Sequence, residues 1–223
     1  GNIGSIKIAQ KVGLENFKNF LEKLDLLNKI QFDIDEVGNP IPFKWGKCKL
    51  ATSAYGHGIT TTPLQLAKAY AIIANGGYKI TPTLIKQEKY LKRGEQIISE
   101  ENSKKINDIL RKIVTNEQGT ANLANIAGYE IAGKTGTAQK SIKGKYTKKK
   151  INTFASIFPI SNPKYVLIVL LDEPKLSETY IYKYNDGKER EIVGTPFNTA
   201  GWTSVEVAKK IIEKIGPILA IKY

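Results

Sequence analysis

Tyr129-Glu130-Ile131-Ala132-Gly133-Lys134-Thr135-Gly136-Thr137-Ala138 is the stretch on which the fold turns. Upstream of Gly128 apolar residues recur at helical spacing, and from Tyr129 onward the pattern is that of extended chain. The segment therefore reads as a strand, Tyr129 to Ala138. A lysine between two glycines, followed by alternating hydroxyls, suits recognition of an anion lying along a strand edge. Gly136 removes the side chain that would block a close backbone approach. Thr135 and Thr137 would point to one face, toward a carboxylate. A backbone N–H exposed on that edge can stabilise a developing oxyanion. The competing explanation is an ordinary edge strand with a lysine guard and a glycine bulge.

Downstream, Thr153 to Pro159 and Tyr165 to Leu171 read as two further strands, joined through Ser161-Asn162-Pro163 as an antiparallel hairpin. The chain closes in a helix carrying Val205, Ala208, Ile211, Ile212 and Ile215, with Gly216-Pro217 as its expected stop. Upstream, Leu14, Phe17, Phe20, Leu21 and Leu24 predict a helix over 14–29. Thr62-Pro63 opens another, closed by Asn75-Gly76-Gly77. A third runs from its cap Ser99 to about Asn116 and should bury Ile106, Ile109, Leu110, Ile113 and Val114. Residues 1–128 are thus mainly helical and 129–223 are antiparallel strands plus a final helix, an α+β arrangement within one domain.

Composition narrows the function. The chain has 223 residues, 41% hydrophobic and 25% charged, as expected of a folded domain. Its longest apolar run, Tyr165 to Leu171, is far below the roughly 20 residues of a membrane helix. One cysteine, Cys48, excludes an internal disulfide and a cysteine-based zinc site; one histidine, His57, leaves no second imidazole for a His-based metal site. Cys48 reads as a spectator and His57 as a structural turn residue. The net charge is +13, from 34 basic and 21 acidic residues, yet only Arg93, Arg111 and Arg190 are arginine. Nucleic-acid readers lean on the arginine fork, so a solvated lysine surface is the better account and no nucleic-acid partner is expected. Lys140 to Lys150 holds six lysines in eleven residues and is expected to be a basic loop beside the motif strand, free to attract anionic strands or lipid headgroups.

Lys134-Thr135-Gly136 is the third signature of the penicillin-binding and β-lactamase fold. Longer stretches resemble the class B transpeptidases of that family. They are Ala54-Tyr55-Gly56-His57-Gly58-Ile59 with Thr62 to Ala67 and Ala74 to Gly77, then Gln118-Gly119-Thr120-Ala121 with Ile131 to Gln139. Phe158-Pro159, Pro163-Lys164-Tyr165, Leu171-Asp172-Glu173-Pro174 and Thr199-Ala200-Gly201-Trp202 continue the likeness, whose details look most like the septal, division-specific member.

The resemblance implies an α+β domain: the C-terminal part of a penicillin-binding transpeptidase, an antiparallel sheet packed with helices. It implies a serine D,D-transpeptidase that cross-links peptidoglycan stem peptides ending in D-Ala-D-Ala and is acylated by β-lactams, without cofactor or metal. By that likeness Lys134 contacts the active-site hydroxyls and helps proton movement. Thr135, Gly136 and Thr137 bind the substrate carboxylate, and the Thr137 N–H forms half of the oxyanion hole. Gly1-Asn2-Ile3-Gly4 looks like the second motif, Ser-x-Asn, without its serine, which leaves Asn2 to bond the substrate amide. The only Ser-x-x-Lys, Ser161-Asn162-Pro163-Lys164, has a proline inside a turn and is not expected to be the nucleophile. The serine, a single-pass membrane anchor and a non-catalytic domain are expected in a missing N-terminal part, with the parent at the periplasmic face of the inner membrane among division proteins. The chain alone is then expected to form no acyl-enzyme. The alternatives are a serine β-lactamase or D,D-carboxypeptidase of the same fold, or a non-catalytic module that senses a muropeptide or a β-lactam. Tyr180, Tyr182 and Tyr184 are expected either to wall the substrate groove or to lie in a partly ordered loop.

Overall fold

The computed structural model describes residues 1–87, 93–142, 145–184 and 190–221. Six helices and five strands follow in the order α1 (Asn2–Val12), α2 (Leu14–Lys23), α3 (Lys47–Ser53), α4 (Pro63–Ala74), α5 (Glu100–Thr115), β1 (Ala132–Ile142), β2 (Lys145–Phe158), β3 (Tyr165–Asp172), β4 (Ile181–Lys183), β5 (Glu191–Val193) and α6 (Ser204–Ile221). Among the described residues no helix is long and apolar enough to cross a membrane.

β1, β2 and β3 form an antiparallel sheet in that order, with Lys134 opposite Ala155 and Phe154 opposite Val169. The two-residue period of the strands divides its side chains between two faces. One face carries Phe154, Phe158 and Val169 against Val205, Ala208 and Ile212 of α6. The other sets Ala132 and Ile157 against Leu110 of α5 and Tyr70 and Ile73 of α4. The motif strand therefore runs between two helical layers as an edge of the sheet.

The helix signals hold where caps are chemical. Thr62 and Gln65 form a reciprocal capping box at α4, and Ser99 accepts from Asn102 N–H at α5. Apolar spacing alone was a poorer guide. α2 stops at Lys23 rather than 29, because Asp25 takes a left-handed φ of 56° that no helix continues through. Its carboxylate meets the ammonium groups of Lys68 at 2.6 Å and Lys79 at 3.1 Å. The buried stripe of α5 is Ser103, Asn107, Leu110 and Val114, and Ile109 is 59% exposed. Ser103 earns its place by donating to the Ile73 carbonyl at 2.5 Å. Gly216-Pro217 does not stop α6, which continues to Ile221. A Cβ on Gly216 would lie 2.2 Å from the Tyr129 ring, so this glycine is there for packing and not for a cap.

The described residues of the basic stretch 140–150 are strand and not loop. β1 and β2 extend into a long antiparallel arm, with Ser141 opposite Tyr146 and a register shift at Lys140. From that bulge Lys140 Nζ reaches Asp172 at 2.9 Å and Glu173 at 2.8 Å. Lys149 pairs with Glu173 at 2.9 Å, and Lys150 donates to the Asn198 carbonyl at 2.9 Å. Half of the expected free charge is thus committed within the fold; Lys145 and Lys148 are exposed, and Lys143 lies outside the described residues. Near the tip Tyr146 meets the His57 ring edge-on, with centroids 5.9 Å apart. Tyr182 is no loop residue: it lies in β4, buried in the core with Val205 and Ala208 of α6, and its hydroxyl donates to the Trp202 carbonyl at 2.8 Å.

Candidate active site

β1 is the outermost strand of its sheet, and alternate N–H and C=O groups along it face away from β2. Arg111 of α5 fixes where the strand begins, donating to the Ile131 carbonyl at 2.6 Å. The two glycines of the motif then do different things. A Cβ on Gly133 would stand 2.6 Å from the Ala155 carbonyl oxygen and 2.7 Å from the Phe154 ring, so the core requires a glycine. A Cβ on Gly136 would meet nothing nearer than the Thr153 carbonyl oxygen at 4.0 Å. Nothing inside the molecule demands Gly136; what it leaves clear is the approach from outside.

Lys134 is exposed as a residue, and its ammonium folds back to donate to the Thr135 carbonyl at 2.7 Å. Desolvation at that end pushes its pKa below the ordinary 10.5, enlarging the fraction that can accept a proton. Thr135 and Thr137 lie on the same face of β1, as their spacing requires. The Thr135 hydroxyl is 2.8 Å from that of Thr120, in the Gln118-Gly119-Thr120-Ala121 segment. The Thr137 hydroxyl accepts from the Ala200 N–H at 2.9 Å. A hydroxyl that accepts at one lone pair keeps its own proton to donate. Both threonines are thus held from neighbouring segments, and the Thr137 O–H, whose oxygen is the acceptor in its contact, remains available to a carboxylate.

The other proposed residues are not joined to this edge. Asn2 is exposed at the first turn of α1, which packs on α2 and α3. Ser161 sits on an exposed turn, where its hydroxyl and its N–H both go to the Glu130 carboxylate; Lys164 is exposed too. No helix aligns that pair. His57 packs against Tyr55, with ring centroids 5.2 Å apart, and Cys48 is exposed as a free thiol. Among the described residues no cluster of histidine, cysteine or carboxylate side chains has the makings of a metal site. Thr120 and the Ala200 amide are what sequence reasoning missed. Both stand in segments that carried the resemblance, but their hydrogen bonds cross 15 and 63 residues of chain and leave no local signature.

Residues 1–197 match the penicillin binding protein transpeptidase domain family. A probable peptidoglycan D,D-transpeptidase FtsI of Caulobacter vibrioides is 30% identical over 231 residues, covering 99% of this chain and 37% of that protein. Stage V sporulation protein D of Bacillus subtilis is 33% identical over 189 residues, 78% of this chain and 29% of the relative. The chain therefore spans about a third of the length of the curated relatives it matches. The transpeptidase domain of Burkholderia pseudomallei penicillin-binding protein 3 superposes with a TM-score of 0.80 at 26% identity, over 97% of this chain and 61% of that one. Penicillin-binding protein 3 of Mycobacterium tuberculosis, complexed with aztreonam, gives 0.76 at 26% identity, over 97% and 50%. With a family match over most of its length and relatives at 30% identity or more, the chain belongs to the penicillin-binding protein transpeptidase family.

Proposed function

We propose that this chain supplies the substrate-binding edge of a septal serine D,D-transpeptidase acting on peptidoglycan outside the cytoplasm. The observation that carries the reading is the open edge at Lys134-Thr135-Gly136-Thr137, with both hydroxyls held and that of Thr137 free to donate. A stem peptide ending in D-Ala-D-Ala, or a β-lactam in its place, would lie antiparallel along β1. Its terminal carboxylate would accept from the Thr135 and Thr137 hydroxyls, with the Lys134 charge nearby. The Thr137 N–H would stabilise the oxyanion as a serine Oγ adds to the penultimate D-Ala carbonyl. That serine is proposed to lie outside these 223 residues, since Ser161 is bound to Glu130 on an exposed turn. Collapse of the adduct breaks the C–N bond, and the departing D-Ala amine takes a proton. An acceptor amine of a second strand then attacks the ester, releasing the serine with its proton. Lys134, with its lowered pKa, is placed to move protons among these hydroxyls. Asn2 is proposed to bond the substrate amide, and the division machinery and an inner-membrane anchor are proposed as the parent's partners.

The test is labelling of the full-length protein with a fluorescent penicillin, together with cross-linking of a D-Ala-D-Ala stem peptide. Lys134→Ala should slow both by about 100-fold or more, in the range of a lost acid–base group. Persistent labelling with cross-linking is the expected result. Rapid release of hydrolysed penicillin would instead identify a β-lactamase, and undiminished labelling of Lys134→Ala would overturn the role of this strand.

A further inference from the structure

β2 carries a buried amide directly behind the motif strand. Asn152 stands opposite Thr137 in the β1–β2 ladder, so the two side chains share one face of the sheet. Asn152 is fully buried, and its Nδ2 donates to the Thr203 hydroxyl at 2.9 Å and to Asn198 Oδ1 at 2.8 Å. The Thr203 hydroxyl in turn donates to the Thr199 carbonyl at 2.9 Å. That carbonyl and the Ala200 N–H are two ends of one planar peptide group, so fixing the direction of one fixes the other. The N–H is the donor that meets the Thr137 hydroxyl oxygen at 2.9 Å. The chain of bonds thus leaves the ladder at Asn152 and returns to it at Thr137. Asn198 pins the same turn from another side, its Nδ2 donating to the Pro174 carbonyl at 3.3 Å and its own carbonyl accepting from the Lys150 ammonium at 2.9 Å.

Stability alone is a poor reason for this cluster. Asn152 Oδ1 is buried with no hydrogen-bond partner among the described residues, and an orphaned buried acceptor is costly. Phe154, the next residue of β2 on that face, packs in the apolar core, and an apolar side chain at 152 would carry no such cost. What an apolar residue could not do is orient the Ala200 amide. With its oxygen engaged from that side, the Thr137 hydroxyl keeps its proton for the open edge.

We propose that Asn152, Thr203 and Asn198 are positioning residues for carboxylate recognition: they set the Ala200 N–H on the Thr137 oxygen and so aim the Thr137 O–H at the ligand. The inference rests on the reading that this strand binds the carboxylate of a β-lactam or stem peptide. The test compares acylation of the full-length protein by benzylpenicillin and by its methyl ester, which has no charged carboxylate to receive that proton. Wild type should prefer the free acid by about tenfold or more, the weight of a hydrogen bond to a charged group. Thr203→Val keeps the shape of the side chain and deletes its hydroxyl. It should slow acylation by the free acid about tenfold and by the ester less than about twofold. Thr203→Ser, which restores the hydroxyl, should recover the wild-type ratio. Asn152→Leu should move the ratio as Thr203→Val does; because Asn152 is fully buried, the Thr203 pair decides. Equal slowing of both ligands, an unmoved ratio, a serine variant as poor as the valine one, or a Thr203→Val protein that does not fold would each overturn the inference. A wild type that does not distinguish acid from ester would overturn the reading of the strand itself, whereas a discriminating wild type with unmoved variants would overturn the positioning alone.

Discussion

At the scale of single residues, Gly133 and Gly136, three positions apart in the motif, carry opposite obligations. Gly133 faces Phe154 and the Ala155 carbonyl at distances no Cβ tolerates, so Gly133→Ala should cost about 1–3 kcal/mol of stability by overpacking. Gly136→Ala should leave the urea midpoint nearly where it was, since its Cβ would reach nothing inside the fold. The same change should slow penicillin labelling several-fold by crowding the edge on which a ligand backbone lies. Equal loss of stability in the two variants would contradict this division. From sequence alone both glycines read as one motif; that one serves the core and the other the approach is decided by the Phe154 ring, on a different strand. Lys134, Thr135 and Thr137 were legible because the strand's period of two fixes their faces. What holds the threonines was not, since Thr120 and Ala200 come from segments that no local pattern links to β1.

Among the elements, the β1–β2 arm departs furthest from the sequence reading. Lysine density pointed to a solvated loop, but alternate residues of an antiparallel pair can carry many lysines if acids stand within reach. Asp172 and Glu173, at the end of β3, are those acids. Their pairing with Lys140 and Lys149 holds the Glu173 carboxyl below its ordinary 4.5, hydrogen bonds from the two ammonium groups being the cause. Lys140→Gln should therefore lower the urea midpoint more than Lys148→Gln, whose side chain is exposed and has no acid in the network just described. If Lys148→Gln is equally disruptive, the ion network is not what fixes the arm. Helices were legible in proportion to their caps: Thr62 with Gln65 and Ser99 marked two starts, whereas α1 has no side-chain cap and exposes Ile3, Ile8 and Val12. α3 is only seven residues long, too short for a period to declare itself.

For the whole molecule, the helical half is tied together at Asp25. Its carboxylate gathers Lys68 and Lys79, and its backbone carbonyl accepts from Gln65, so three segments distant in sequence meet at one left-handed residue. Burial raises its pKa, but the hydrogen bonds from Lys68 and Lys79 outweigh that and leave it below the ordinary 3.8. A carboxyl depressed in the folded state stabilises above its unfolded pKa and loses that contribution as pH falls through the folded value. Asp25→Asn should cost about 2 kcal/mol at neutral pH, less than a fully buried pair because Asp25 keeps 22% exposure, and it strands Lys68, which is 6% exposed. The gap between wild type and variant should close as pH drops below about 4, read from urea midpoints across an acid series. A gap that stays constant with pH would mean that the charge of Asp25 is not what stabilises the fold. The uncovered border of β1 bears on the molecule in bulk. A strand whose N–H and C=O groups stand open to a peptide backbone is equally open to a sister molecule, and such ladders grow without a natural end. Mutual repulsion among chains of net charge +13 delays that encounter, over a range of roughly 8 Å at physiological salt. Colloidal stability and catalytic access are thus two demands on one border, and ionic strength sets the balance between them.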